Sequence, residues 1–282
     1  GGRAAPSGPA PAGAVDGRGV GPRPLDGVRV LDLTRIVAGP ACARTLAEHG
    51  ADVLQVADPR LHTVRRAALE TAPGRRSTSL ALADPADRAR LEALLPQADV
   101  LCQNARPGVL DRHGLGAERL AEVRPGIVHV SVDTYGHVGP WRSRPGFEPL
   151  AQCSTGWADE HRDAAGRPTI VPALPCDYAT GYLAALGTVI ALRRRAVEGG
   201  SWRVRTSLAR TAMWFRDQPG RLDPAAATGT PAAATADLRI RLDGPFGVVE
   251  QLAPVVRMSG TPPRWSTAGE RPGASAPGFP GR

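Results

Sequence analysis

VRVLDLTRIVAGPACARTLAEHGADVLQV, residues 28–56, decides the fold. Its first seven residues form the mostly apolar run of a strand buried on both faces, and 52–56 (DVLQV) is a second such run. Between them, 40–49 suits a helix, and Gly50 stands where a left-handed residue commonly ends one. Strand, helix and strand at this spacing predict a parallel pair joined by a crossover helix. Further out, 78–82 alternates as a third strand. Asp84 and Pro85 read as the N-cap and first residue of a helix reaching about Leu95. Residues 99–102 and 127–132 (IVHVSV) read as strands, separated by short helices near 109–113 and 117–123. The alternation predicts an α/β fold with a doubly wound, mostly parallel sheet.

The pattern continues with a helix over 148–157 and a short strand near 169–173. Asp177 opens the longest helical stretch, to about Ala196, with apolar residues Tyr182, Leu183, Leu186, Val189 and Ile190 at helical spacing. Gly199-Gly200 stops it, and a strand (202–208) and a helix (209–215) follow. The expected domains are a tail or linker over 1–23, a large domain over 24–215, an Ala/Pro-rich linker over 216–236, and a returning segment over 237–282.

The net charge of +8 suggests a polyanion partner, but its distribution argues against nucleic acid. The chain has no lysine, its arginines are scattered, and no aromatic–basic interleaving of the single-strand-binding kind occurs. Arginine excess beside abundant Ala, Gly and Pro fits the codon bias of a GC-rich genome, and an anionic small molecule would use it equally well. Cys42, Cys102, Cys153 and Cys176 form no CxxC and have no matching histidines, so they read as free buried thiols in a reducing cytoplasm rather than as metal ligands. No apolar run of about 18 residues is present, which excludes a membrane-spanning helix.

Three turns could carry chemistry. Residues 34–40 (TRIVAGP) join a strand to a helix, where backbone N–H groups can meet a phosphate. Residues 104–114 (NARPGVLDRHG) place Asn104, Arg106 and Arg112 after a strand, suited to phosphate or an adenine edge. Residues 173–181 (ALPCDYATG) put Asp177 at the mouth of the long helix, as an N-cap, a nucleophile or both. Each alone reads equally as an ordinary turn.

Their order changes that reading. The opening segment at 24–56, GRRSTSLAL at 74–82, ADVLCQNARPGVLDRHGLG at 98–116, RPGFEPLAQCSTG at 144–156, ALPCDYATGYLAALGTVIAL at 173–192 and MSGTPPRW at 258–265 together resemble family III CoA-transferases, the formyl-CoA transferase, carnitine CoA-transferase (CaiB) and BaiF group. The resemblance implies that Asp177 is a nucleophile that forms a mixed anhydride with the acyl group and then a thioester with CoA. It implies CoA contacts at the backbone of Val37 and Ala38 and at Arg75, Asn104 and Arg112, with Phe147 and Glu148 at the acyl site. It further implies no permanently bound cofactor, coenzyme A thioester as substrate, a carboxylic acid acceptor, and a homodimer or a pairing with a related subunit. Two departures stand out. Phe147 occupies the place where related 2-methylacyl-CoA racemases carry a histidine base, and an Ala/Pro-rich stretch stands where the family has a second, small domain. A CoA-binding lobe of a longer or paired enzyme, and a racemase-like enzyme, are the alternative readings.

Overall fold

The computed structural model describes residues 23–61, 64–218 and 232–280. Strands β1 (Arg29–Leu33), β2 (Asp52–Ala57), β3 (Arg75–Ser79), β4 (Val100–Gln103), β5 (Val128–Asp133) and β6 (Trp202–Ser207) form one sheet in the order β3-β2-β1-β4-β5-β6. Every neighbouring pair is parallel. The order reverses between β1 and β4, the switch point of a doubly wound sheet, so the α/β expectation holds. The expected tail and most of the Ala/Pro linker lie outside the described residues.

The helices are α1 (Ala38–Glu48), α2 (Arg65–Thr71), α3 (Pro85–Leu94), α4 (Val109–Arg112), α5 (Ala117–Val123), α6 (Glu148–Ser154), α7 (Trp157–Glu160), α8 (Pro175–Glu198) and α9 (Leu208–Arg216). Alternate strand residues serve two layers. Val30, Val53, Val100 and Val128 pack with α1 and α8, whereas Leu31, Leu54 and Leu101 pack with leucines of α3, α4 and α5. Each such side chain contributes about 1.5–3 kcal/mol on full burial.

The valine layer is thin because α8 lies unusually close to its neighbours. A Cβ at Gly181 would sit 2.6 Å from the Ala38 carbonyl oxygen and 2.7 Å from the Ala41 Cβ; one at Gly187 would sit 2.7 Å from a Val204 methyl. Accordingly α8 buries Thr180, Gly181, Ala184, Ala185, Thr188 and Ala191. The larger apolar residues at helical spacing lie on the other faces. Leu183, Leu186, Val189 and Ile190 are exposed, since small residues hold the face whose backbone lies closest to α1 and β6.

Other expectations shift as well. The predicted strand near 169–173 does not form: the Thr169 N–H donates to the Ala158 and His161 carbonyls, and the Val171 N–H to the Gln152 side chain. The predicted helix over 148–157 is cut by Gly156, which is left-handed (φ 79°). Strand β3 begins three residues early, within the GRRS string, and α2 was not anticipated. The N-cap at Asp84 forms as read, its carboxylate accepting from the Ala86 and Asp87 N–H groups.

Beyond 232 the chain makes an antiparallel hairpin, β7 (Arg239–Gly244) and β8 (Gly247–Leu252). It then returns along the outer edge of β3. Gly74 N–H donates to the Thr267 carbonyl (2.9 Å), Ser275 N–H to the Ser77 carbonyl (2.7 Å), and Ser77 N–H to Glu270 Oε2 (2.8 Å). Trp265 is buried against α1, with its Nε1 donating to the Arg44 carbonyl at 3.3 Å. An edge strand that would otherwise offer unpaired backbone groups is thereby covered. No helix among the described residues is long and apolar enough to cross a membrane.

The close approach of α8 to α1 is testable by overpacking. Gly181→Val is expected to destabilise the fold by about 1–3 kcal/mol or more, read as a lower urea midpoint.

Candidate active site

At the switch point, the carboxyl ends of β1 and β4 open onto a cleft of about 620 Å³. Residues 35–38, the turn from β1 into α1, form its floor. Ile36 is held left-handed (φ 73°), a strained state for a branched residue. Helix α1 has no side-chain cap, so its leading N–H groups keep the positive end of the helix dipole turned to the cleft. Asn104, just after β4, locks this turn: its Nδ2 donates to the Arg35 carbonyl (2.7 Å) and its Oδ1 accepts the Arg35 N–H (3.1 Å).

Asp177 lies in the first turn of α8 and lines the cleft at 7% exposure. Its side chain makes no hydrogen bond or ion pair among the described residues. The turn that presents it is built with strain, Ala173 and Leu174 both being left-handed (φ 70° and 54°), and Pro175 opens the helix. Glu148 holds that turn in place. This buried carboxylate accepts the Cys176 N–H at Oε1 (3.0 Å) and the Asp177 N–H at Oε2 (2.9 Å), and Gln152 Nε2 also donates to it (2.8 Å). Gln152 in turn donates to the Val171 carbonyl and accepts the Val171 N–H, which fixes the loop leading to α8.

The electrostatic consequence falls on Asp177. A helix N-terminus ordinarily favours a carboxylate, but Glu148 already takes the leading N–H groups and adds its own negative charge. Burial, and then the charge of Glu148, push Asp177 up to about 7. Its anion is therefore poorly solvated and basic for a carboxylate.

The residues singled out in the sequence are only partly brought together. Val37, Ala38, Asn104, Phe147 and Asp177 line the cleft, with Phe147 61% exposed. Glu148 sits behind Asp177 as its support. Arg75 does not face the cleft. It is 3% exposed, ion-paired with buried Asp32 at 2.7 Å, and bonded twice to Thr71, so its charge is spent in tying β1, β3 and α2 together. Arg112 is not among the residues lining the cleft, whereas Arg106 and His113 from the same string are. The cleft also contains Asp58 and Arg60, ion-paired at 2.8 Å, and Asp133, whose carboxyl burial raises to about 6. The signal that could have found these three is their place directly at the carboxyl ends of β2 and β5. Of the cysteines, Cys42, Cys102 and Cys176 are buried free thiols, and Cys153 is exposed.

The model of CoA-transferase family III matches residues 25–232. The chain belongs to that family. It is 37% identical over 193 residues to the β subunit of succinyl-CoA–L-malate CoA-transferase from Chloroflexus aurantiacus, covering 62% of this chain and 47% of that protein. It is 36% identical over 196 residues to formyl-CoA:oxalate CoA-transferase from Rhodopseudomonas palustris, covering 65% and 46%. Among solved structures, a hypothetical protein from Mycobacterium tuberculosis superposes with a TM-score of 0.66 at 30% identity (69% of this chain, 56% of that one). A CAIB/BAIF family protein from Brucella suis gives 0.65 at 25% (81% and 65%). The chain thus spans less than half the length of these two curated relatives.

Asp177→Asn tests the charge state. The folded carboxyl titrates near 7 and the unfolded one near 3.8, so the folded state holds its proton more tightly and ionisation costs stability as pH rises between those values. The variant is expected to be more stable than the parent at pH 8, by a few kcal/mol, with the difference vanishing toward pH 4. Urea denaturation at both pH values measures it.

Proposed function

We propose that this chain moves CoA from an acyl-CoA to a carboxylic acid, with Asp177 as the covalent nucleophile. The observation that carries this reading is a buried carboxylate without a side-chain partner among the described residues, facing the switch-point cleft of a chain in this family. Attack of the Asp177 carboxylate on the thioester carbonyl expels CoA thiolate and leaves a mixed anhydride. The thiolate then attacks the aspartyl carbonyl, releasing the first carboxylic acid as its anion and leaving an aspartyl thioester. The acceptor carboxylate attacks that thioester, and the thiolate, expelled once more, takes the new acyl group from the second anhydride. Asp177 is returned as carboxylate, and no permanently bound cofactor takes part.

The surroundings support those roles. An anion poorly solvated in the resting cleft is a stronger nucleophile than a hydrated one. Glu148 positions the attacking residue through two backbone bonds. The uncapped α1 turn at Val37 and Ala38 offers N–H groups, and Arg60 and Arg106 take the phosphate-facing part that the resemblance gave to Arg75 and Arg112. The Phe147 ring supplies an apolar wall for the acyl chain, and it cannot serve as the base that a racemase requires. Three buried free thiols suit a reducing cytoplasm.

The exposed face of α8 supports pairing with a second copy. Leu183, Leu186 and Ile190 follow helical pairing intervals of three and four residues, with Val189 and Val197 beside them. A patch of this kind on the longest helix suits a two-fold interface in which the same face meets itself. One similar protein is itself named a β subunit.

Two measurements check these readings. Incubation with a panel of acyl-CoAs, followed by intact mass analysis, is expected to give a covalent adduct that is absent in Asp177→Ala. An adduct that persists in the variant sinks the nucleophile assignment; no adduct, with CoA still raising the melting temperature, makes the chain a CoA-binding lobe. Light scattering is expected to give a dimer mass for the parent and a monomer mass for Leu186→Arg. A parent monomer at micromolar concentration rejects the pairing.

A further inference from the structure

A second, smaller cavity lies beside the cleft, between the α4–α5 layer and strands β5 and β6. Its volume is about 190 Å³, room for a small ion and several waters. Gln103 and Arg106 line both cavities and form the wall between them.

The charged and polar groups facing this space come from α4, α5, β4, β5, β6 and the loops that follow β4 and β5. Loop residue Arg106 and edge-strand residues Arg203 and Arg205 bring three guanidinium groups. Of these, Arg203 is taken by Glu118 of α5 at 2.6 Å, whereas Arg106 and Arg205 form no ion pair among the described residues. Asp111 of α4 contributes the remaining lining carboxylate. Strand β5 supplies His129 and Ser131, and the loop after it supplies His137.

A directed network runs through these groups. Gln103 Oε1 accepts the Ala105 N–H, which fixes its amide so that Nε2 donates to Ser131 Oγ at 2.6 Å. The Ser131 hydroxyl lies 2.8 Å from His137 Nε2 and donates to it when the neutral imidazole carries its proton on Nδ1. His137 Nδ1 in turn lies 3.2 Å from Asp133 Oδ2, an ion-pair distance without hydrogen-bond alignment. Protonation of His137 reverses the middle of this chain. Its Nε2–H would donate to Ser131 Oγ, turning the serine proton into the cavity.

We propose that this cavity binds a small oxyanion, a phosphate or carboxylate group, through the guanidinium groups of Arg106 and Arg205 and the Ser131–His137 pair. Guarding an exposed sheet edge would account for two arginines on β6. It would not account for a serine and a histidine lining the cavity with a carboxylate behind them, nor for Arg106, without an ion pair among the described residues, on its opposite wall. The electrostatics agree with an anion-seeking site. Burial, then Arg203, His137 and Arg205, hold His129 down to about 4, against a single opposing pull from Asp111. His137 is likewise held down by burial and Arg205. A bound anion offsets those positive charges and pulls His137 upward, so binding takes up proton and strengthens as pH falls. Arg205, Ser131 and His137 do not line the main cleft, so they distinguish this site from the acyl-transfer reading, with which it shares Arg106.

The test is a titration of the full chain, followed by NMR of the histidine Cε1–H resonances, with inorganic phosphate in one arm and succinate in the other. Saturable shifts at His137 and His129 are expected in at least one arm, which also names the oxyanion. The His137 titration midpoint is expected to rise by about half a pH unit or more with the anion bound. Arg205→Ala, on an exposed edge position, is expected to fold with an unchanged melting temperature and to weaken binding about tenfold or more. Absence of saturable shifts in both arms, or equal affinity in Arg205→Ala, would each overturn the proposal.

Discussion

The approach of α8 to α1 at Gly181 is the constraint on which the remaining architecture depends. With 2.6 Å between a notional Cβ and the Ala38 carbonyl oxygen, only glycine allows the two helix axes to lie so near. That proximity carries the first turn of α8 to the switch point of the sheet, so that Asp177 shares a cleft with the β1–α1 turn. It also shapes the composition of the layer beneath, with valines on the strands and glycine, alanines and threonines on the buried face of α8. The opposite layer, free of this restriction, uses leucines.

Glu148 sets the chemistry that this placement permits. A carboxylate buried behind a helix start is costly unless it is hydrogen-bonded, and here three donors satisfy it. Having taken the helix's leading N–H groups, it leaves Asp177 without the stabilisation that a first-turn acid usually enjoys. Two neighbouring acids thus have opposed fates, one fully bonded and the other held basic and turned to the cleft. The left-handed pair at Ala173 and Leu174 stores strain in the same turn, and the Gln152–Val171 bonds hold it there.

The β–α–β opening was legible because buried parallel strands are apolar throughout, and because Gly50 and Pro85 punctuate the helices locally. Asp177 and Asn104 were legible as residues just past strands or at a helix start. Arg75 was misplaced because a sequence string does not reveal which partner claims a guanidinium: Asp32, 43 residues away, does so here. The length of α8 was legible but its orientation was not, because helical spacing identifies a face without saying which way it turns, and the decisive contact is made by a glycine, which carries no hydropathic signal. The loop at 169–173 has the composition of a strand, but its N–H groups are claimed by α6 and α7.

The return of the chain along β3 bears on how this protein is made. Trp265 bonds to Arg44 across 221 residues of sequence. At ribosomal speeds of about 5–20 residues per second, roughly 10–40 s separate synthesis of the two. Through that interval the nascent sheet carries a bare margin at β3, the kind of margin that recruits other chains. The last segment of the described chain therefore acts as a late seal, and the protein's yield in the cell is set partly by what shields β3 until the seal arrives.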